Sequence, residues 1–230
     1  MMNIKAITFD LDNTLWETDV SILNAEQVMQ AHLREIAPAA WMADFSLETF
    51  RAVRQSVIES APEIAHNLTV VRRETLVRWF EQQGANRDEA EHMAGEGFRV
   101  FYHARQQVDP YPLVEHTLQH LSARFPLAAI TNGNADLMAM PLGRYFQFSL
   151  QASDFPKAKP DPVMFEEAIR RLNVAPDTCL HVGDDPDHDV TGARNAGLKT
   201  AWVNTRQLSP ELGAHADLTV TQIHDLLAHL

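Results

Sequence analysis

Apolar spacing divides the chain into stretches of different character. Residues 4–9 form a short run, Ile-Lys-Ala-Ile-Thr-Phe, that stops at the acidic cluster Asp10-Leu11-Asp12. This run predicts a buried strand. From about residue 20 to 107 apolar side chains recur three and four positions apart, most clearly over 24–36, 47–58 and 69–80, which predicts helices. Gly84 stands where a helix would end, and Asn86 with Glu89 three positions later has the form of a capping box opening the next. The stretch reads as roughly four helices with no strand.

Past Asp109-Pro110 the pattern alternates. A helix is expected over 113–121, strands over 127–131 and 148–151, and a helix from Asp161-Pro162 to about Leu172. A strand over 179–182, a helix over 190–196 closed by Gly197, and a strand over 200–203 follow. Such alternation predicts a parallel sheet with helices on both faces. The expected fold class is α/β, a Rossmann-like parallel sheet core with an inserted helical cap domain. Residues 1–18 and 109–230 would form the core and residues 19–108 the cap.

Composition narrows the function classes. At 230 residues the chain is long enough to bury a sizeable core. No apolar run approaches the ~20 residues that cross a bilayer, and residues 1–9 lack the basic start and long apolar stretch of a signal peptide. A single cysteine, Cys179, excludes an internal disulfide framework and fits a reducing cytoplasm; in its apolar run it reads as a core residue. The net charge of −12 argues against a nucleic-acid partner and against no small phosphorylated molecule, which a metal ion and a few local cations can hold. A monomer or small homo-oligomer without a membrane partner is expected.

Parallel α/β sheets bind ligands at the carboxyl ends of their strands. Asp10 and Asp12 follow the first predicted strand, Thr131 and Asn132 the second, Lys159 comes several residues after the third, and Asp184, Asp185 and Asp189 follow the fourth. Each cluster alone has an ordinary explanation: turns for the Asp and Asn residues, a solvated loop for the lysine, a helix N-terminus for Asp184 to Asp189. Their convergence on one sheet edge is the stronger signal. Grouped carboxylates repel one another unless a cation lies between them, and oxygen ligands with room for water suit Mg²⁺. A metal-screened aspartate nucleophile, a lysine point charge and a threonine hydroxyl together suit phosphate monoester hydrolysis.

Four segments resemble the motifs of the haloacid dehalogenase-like superfamily, in order and spacing: Phe9-Asp10-Leu11-Asp12-Asn13-Thr14-Leu15, Ile130-Thr131-Asn132-Gly133-Asn134, Lys159-Pro160-Asp161-Pro162, and Val182-Gly183-Asp184-Asp185 continuing to Asp189-Val190. The resemblance covers nearly the whole chain. It implies that Asp10 forms an aspartyl-phosphate, and that Asp12 protonates the leaving oxygen, later activates water, and binds Mg²⁺ through its backbone carbonyl. Thr131, Asn132 and Lys159 would hold the phosphoryl group. Asp10 and Asp184 would ligate the metal directly and Asp189 through water, with Asp185 left open.

The same motifs serve phosphomutases, which use both aspartates, and dehalogenases, whose aspartate attacks carbon without a metal and has no use for an acid at Asp12. A non-catalytic binding protein of this fold would be expected to lack Asp10 or Lys159. Pro62-Glu63-Ile64 with His66, residues 130–135 and residues 180–185 are similar to bacterial flavin mononucleotide phosphatases, which implies release of riboflavin from its phosphate, with other nucleotide or sugar phosphates as alternatives. Trp16, so close to Asp10 and Asp12, is expected to stack on such a ring or to pack at a hinge. Trp41 and Trp79 read as packing residues. His181 and His188 flank the acidic loop without the companions that a zinc site needs.

Overall fold

The computed structural model describes residues 3–230. The first run becomes strand β1 (Ala6–Phe9), with all four residues buried. The chain then enters helices α1 (Thr18–Ile36), α2 (Leu47–Ser60), α3 (Leu68–Gln82) and α4 (Arg87–Arg105). Helix α1 starts a turn and a half before the expected residue 24. Its buried stripe begins at Ser21 and continues through Ala25, Met29 and Leu33, so the first member of the i, i+4 series is polar and escapes an apolar count. The capping box of α4 is present: Glu89 N–H donates to Asn86 Oδ1 at 3.0 Å, and Asn86 N–H to Glu89 Oε2 at 2.9 Å.

The four helices enclose a core of their own. Trp79 is buried there, its Nε1–H donating to the Trp41 carbonyl at 3.3 Å and its ring set edge-on to Phe45. Both tryptophans are packing residues, as expected. Spatially the chain divides into two compact units, Asp19–Gln107 and Met1–Thr18 with Val108–Leu230.

In the second unit α5 (Val114–Ser122), β2 (Leu127–Thr131), β3 (Phe148–Gln151), α6 (Val163–Leu172), β4 (Cys179–Gly183), α7 (Gly192–Asn195), β5 (Lys199–Val203) and β6 (Leu218–Val220) follow in sequence. Among the described residues the strands form one sheet, parallel throughout, in the order β3-β2-β1-β4-β5-β6. Side chains alternate between its faces. Ile7, Phe9, Leu180 and Val182 join the core on one side, and Ala6, Ala128, Ile130 and Cys179 pack with α6 on the other.

Two elements differ from the sequence expectation. Strand β6 is only three residues long, too short to register as a periodic run. The helix expected over 190–196 is instead a wide π-helical turn, Pro186–Thr191, followed by the short α7. Val190 N–H reaches back to the Asp185 carbonyl at 3.2 Å, and the Asp185 carboxylate accepts from Asp187 and His188 N–H at 2.8 Å each. Such bulged turns recur at functional sites.

The order reverses at β1: the chain proceeds outward through β2 and β3, then returns to β4 on the other side of β1. In an open α/β sheet the ligand crevice lies outside the carboxyl ends at this switch point. Asp10 directly follows β1 and Asp184 directly follows β4.

Candidate active site

Asp10 continues the β1 ladder, its N–H donating to the Val182 carbonyl at 2.8 Å, so its side chain is fixed by the sheet. One carboxylate oxygen takes a 2.6 Å bond from Lys159 Nζ, and Thr14 Oγ1 donates to the other at 3.3 Å. Lys159 is buried, and its remaining two donors go to Asp189 Oδ1 at 2.6 Å and the Ile130 carbonyl at 2.9 Å. Three ammonium donors meet three acceptors, which is what a buried lysine requires.

Asp189 also touches His181 Nε2 at 3.1 Å and accepts from Asp185 N–H at 3.0 Å. His181 is buried, with Nδ1 2.9 Å from Thr8 Oγ1 on the adjacent strand. The histidine is a structural bridge between Thr8 and Asp189. Gly183 is required for this approach, since a Cβ there would lie 2.2 Å from Asp189 Cγ.

Burial pushes Asp10 well above the ordinary carboxylate range, opposed by Lys159 and reinforced by Asp189 and Asp184. Asp184 is likewise raised, to about 6, by burial and then by Asp189. Asp189 goes the other way. Burial would raise it, but Lys159 and His181 outweigh burial and hold it below the ordinary range. Lys159 is raised because Asp10 and Asp189 together overcome its desolvation.

Ligand oxygens of Asp10, Asp184 and Asp189 lie within 4.8 Å of one another, and among the described residues this is the group with metal-site spacing. Buried oxygen donors of this kind fit a hard divalent cation, whose charge would relieve the strain that raises Asp10 and Asp184.

Thr131 is buried, and its Oγ1 accepts the Gly133 N–H at 2.9 Å, leaving its own proton for a ligand. The Asn132 side chain is engaged with the backbone of Lys159. Its Nδ2–H donates to the Lys159 carbonyl at 2.9 Å, and its Oδ1 accepts the Lys159 N–H at 2.8 Å. It clamps the backbone that carries Lys159.

Of the two readings of Trp16, stacking and packing, the structure supports packing. The side chain is fully buried in the core beside β1, so it presents no face for a ring to stack on. Its Nε1–H donates to Asp12 Oδ1 at 2.9 Å. Asp185, left open by the sequence, caps the π-helical turn through its side chain.

Arg206 was not anticipated. It donates to Asp184 Oδ2 at 2.7 Å, while Thr14 Oγ1 approaches the other oxygen at 3.4 Å. It lies three residues past β5, so the strand-end rule that found the aspartates would have found it had the fifth strand been searched too.

Comparison with known proteins decides the family. Residues 4–197 match the family model of haloacid dehalogenase-like hydrolases. The chain belongs to that family. This hydrolase is 36% identical over 227 residues to the 5-amino-6-(5-phospho-D-ribitylamino)uracil phosphatase YigB of Escherichia coli K12, covering 99% of the chain and 91% of the relative. It is 30% identical over 209 residues to a glyceraldehyde 3-phosphate phosphatase of Methanopyrus kandleri, covering 87% and 84%. Among solved structures it is similar to a 2-haloacid dehalogenase from Pseudomonas syringae pv. tomato DC3000, with TM-score 0.91, 37% identity and 98% and 97% coverage. The hydrolase is an enzyme of the phosphoric monoester class.

Proposed function

We propose that the enzyme removes the phosphate from a phosphoribityl compound, a polyol chain joined to a nitrogen heterocycle, through an aspartyl-phosphate intermediate. The buried Asp10–Lys159–Asp189 cluster at the switch point carries the chemistry of this reading. Similarity to YigB along nearly the whole chain supports the substrate class. Flavin mononucleotide carries the same phosphorylated ribityl arm, so it stays in the proposed range beside the ribitylaminouracil phosphate.

In this reading an Asp10 carboxylate oxygen attacks phosphorus as the ester P–O bond breaks, and the departing oxygen takes its electron pair and a proton from Asp12. The Asp12 carboxylate then removes a proton from water, whose oxygen attacks phosphorus and returns Asp10 with release of inorganic phosphate. Thr131 and Lys159 hold the phosphoryl oxygens, and Asn132 keeps Lys159 in place. Asp10, Asp184 and the Asp12 carbonyl would hold Mg²⁺, with Asp189 acting through water. That ion supplies charge screening between nucleophile and phosphate. No described helix is long and apolar enough to cross a membrane; the cytoplasm is the compartment we propose, on the buried lone thiol Cys179.

The test is release of inorganic phosphate from the ribitylaminouracil phosphate, flavin mononucleotide and p-nitrophenyl phosphate, with and without Mg²⁺. A kcat/KM for the two ribityl compounds no better than for p-nitrophenyl phosphate would refute the substrate class. The similarity to a 2-haloacid dehalogenase favours one second reading, attack of Asp10 on carbon. Chloride release from 2-chloropropionate, unaffected by EDTA, would support it. Asp12, held by a dedicated hydrogen bond, weighs against it, because that reaction has no proton to deliver to a leaving halide.

Metal binding should show two signatures. As a ligand acting through water, Asp189→Asn should cost about 10–100-fold in Mg²⁺ affinity, as outer-shell partners do, and Asp184→Asn should cost more. Equal losses in a calorimetric titration would remove Asp184 from its direct role. The second signature concerns pH. Burial pushes the folded pKa of Asp184 up to about 6, above the ordinary carboxylate value of 3.8. Its stabilising contribution to the metal-free protein is therefore complete below pH 3.8 and lost as pH rises through about 6. Proton and cation compete for this carboxylate. The rise in Tm on adding Mg²⁺ should be larger at pH 7.5 than at pH 5; the reverse order would contradict the assignment.

A further inference from the structure

The Trp16–Asp12 contact has a geometry that packing does not require. Residues 11–16 form a tight turn after β1, with Asn13 N–H bonded to the Trp16 carbonyl at 2.8 Å and Asn13 at φ 62°. A bridge to Pro110 pins Trp16 on its other side. The Trp16 backbone is therefore held on both sides, and its indole is fully buried. An indole has one donor and no acceptor, and a buried donor must find a partner. That donor is aimed at Asp12 Oδ1.

The other Asp12 oxygen faces the second motif. A Cβ built on Gly133 would lie 2.3 Å from Asp12 Oδ2 and 3.2 Å from Thr131 Oγ1. Oδ2 thus sits against the loop that carries Thr131, and only a glycine permits that approach. The carboxyl group has the indole N–H at Oδ1 and the Gly133 backbone beside Oδ2. The two oxygens differ in their surroundings: Oδ1 accepts the Trp16 N–H, and Oδ2 faces the phosphate-binding loop.

We propose that Trp16 is a positioning residue for proton transfer: its Nε1–H holds Asp12 so that Oδ2, beside Thr131, gives the proton to the leaving oxygen and later takes one from water. This rests on the reading of Asp12 as the acid–base group. The proton leaves Oδ2 as the P–O bond breaks and its electron pair passes to the leaving oxygen, and Oδ1 stays on the indole throughout. A proton donor held to one rotamer is worth more than a free one, because misalignment lowers the fraction of encounters in which transfer is in reach.

Leaving-group dependence isolates this role. Phenyl phosphate and p-nitrophenyl phosphate have nearly the same shape, but phenolate is much the poorer leaving group and depends more on the proton. General acid catalysis is typically worth 10²–10⁴-fold, so loss of alignment should remove roughly tenfold of it. In Trp16→Phe the ratio of kcat/KM for p-nitrophenyl phosphate to that for phenyl phosphate should rise by that factor. A residue that only packs would lower both values together and leave the ratio unchanged, which would overturn the proposal. Asp12→Asn separates the layers. If its ratio rises and that of Trp16→Phe does not, positioning fails and the acid survives. If the Asp12→Asn ratio does not move, the acid–base reading itself falls, and this proposal with it. Should Trp16→Phe fail to fold, benzothienylalanine at position 16 keeps the ring volume and replaces only the N–H; an unchanged ratio there is equally fatal.

Discussion

Asp10→Asn should lower kcat for p-nitrophenyl phosphate on the order of 10³-fold or more, the scale on which loss of a covalent nucleophile acts. The amide keeps the shape of the carboxylate and loses the charge that attacks phosphorus in the proposed mechanism. Its effect on stability should have the opposite sign. Burial holds Asp10 well above the ordinary carboxylate range, so the ionised side chain is a liability to the fold at neutral pH. Lys159 retains Asp189 and the Ile130 carbonyl as partners. A variant nearly inert yet melting at or above the wild-type temperature is the expected result, a trade between activity and stability common at active sites. Near-normal kcat in a clean preparation would remove Asp10 from its role.

Lys159→Met should be inactive and also unstable. Removing the ammonium leaves two buried carboxylates without their common partner, and breaking a buried pair in this way costs about 3–5 kcal/mol. The pH dependence follows from Asp189. In the wild type its folded pKa is depressed, so its contribution is present above the unfolded value and lost as pH falls. Without Lys159, burial dominates both carboxylates, which then take up protons in the fold and become less harmful as pH falls. The stability gap between wild type and variant should therefore narrow from pH 7.5 to pH 5 in metal-free denaturant titrations. A gap that stays constant would mean that Lys159 acts on stability through packing alone.

Much of the site was legible because its chemistry is tied to strand ends, and the strands are visible as apolar runs. Asp10, Thr131 and Asp184 each stand within one residue of a strand's carboxyl end or on it. What was not legible depends on which way a side chain turns. Trp16 and Asp12 are four apart in the chain, and nothing in that spacing tells whether the indole points to solvent or into the core. Nor does the place of Asn132 beside Thr131 tell that its side-chain amide complements the Lys159 backbone 27 residues away. Arg206 and the π-helical turn were missed for a different reason. One lies beyond a strand that was not searched for chemistry, and the other has the composition of an ordinary helix start, where Pro186 would serve as well.

The central place of β1 also bears on when Asp10 acquires its surroundings during synthesis. Ile7 is paired with Leu127 on one side and Leu180 on the other. Strand β1, made before its neighbours in the sheet, must therefore wait for partners more than a hundred residues downstream. Contacts of such separation form late, since long loops must close before they are rewarded. The helices of Asp19–Gln107 draw their core from nearby sequence and can assemble while β4 is still unmade. Asp10 acquires Lys159 and its burial only when the last of these partners arrives. A chain truncated before Gly183 would hold a folded helical unit and an aspartate with the ordinary properties of an exposed carboxylate, so the reactive group belongs to the finished sheet rather than to the segment that encodes it.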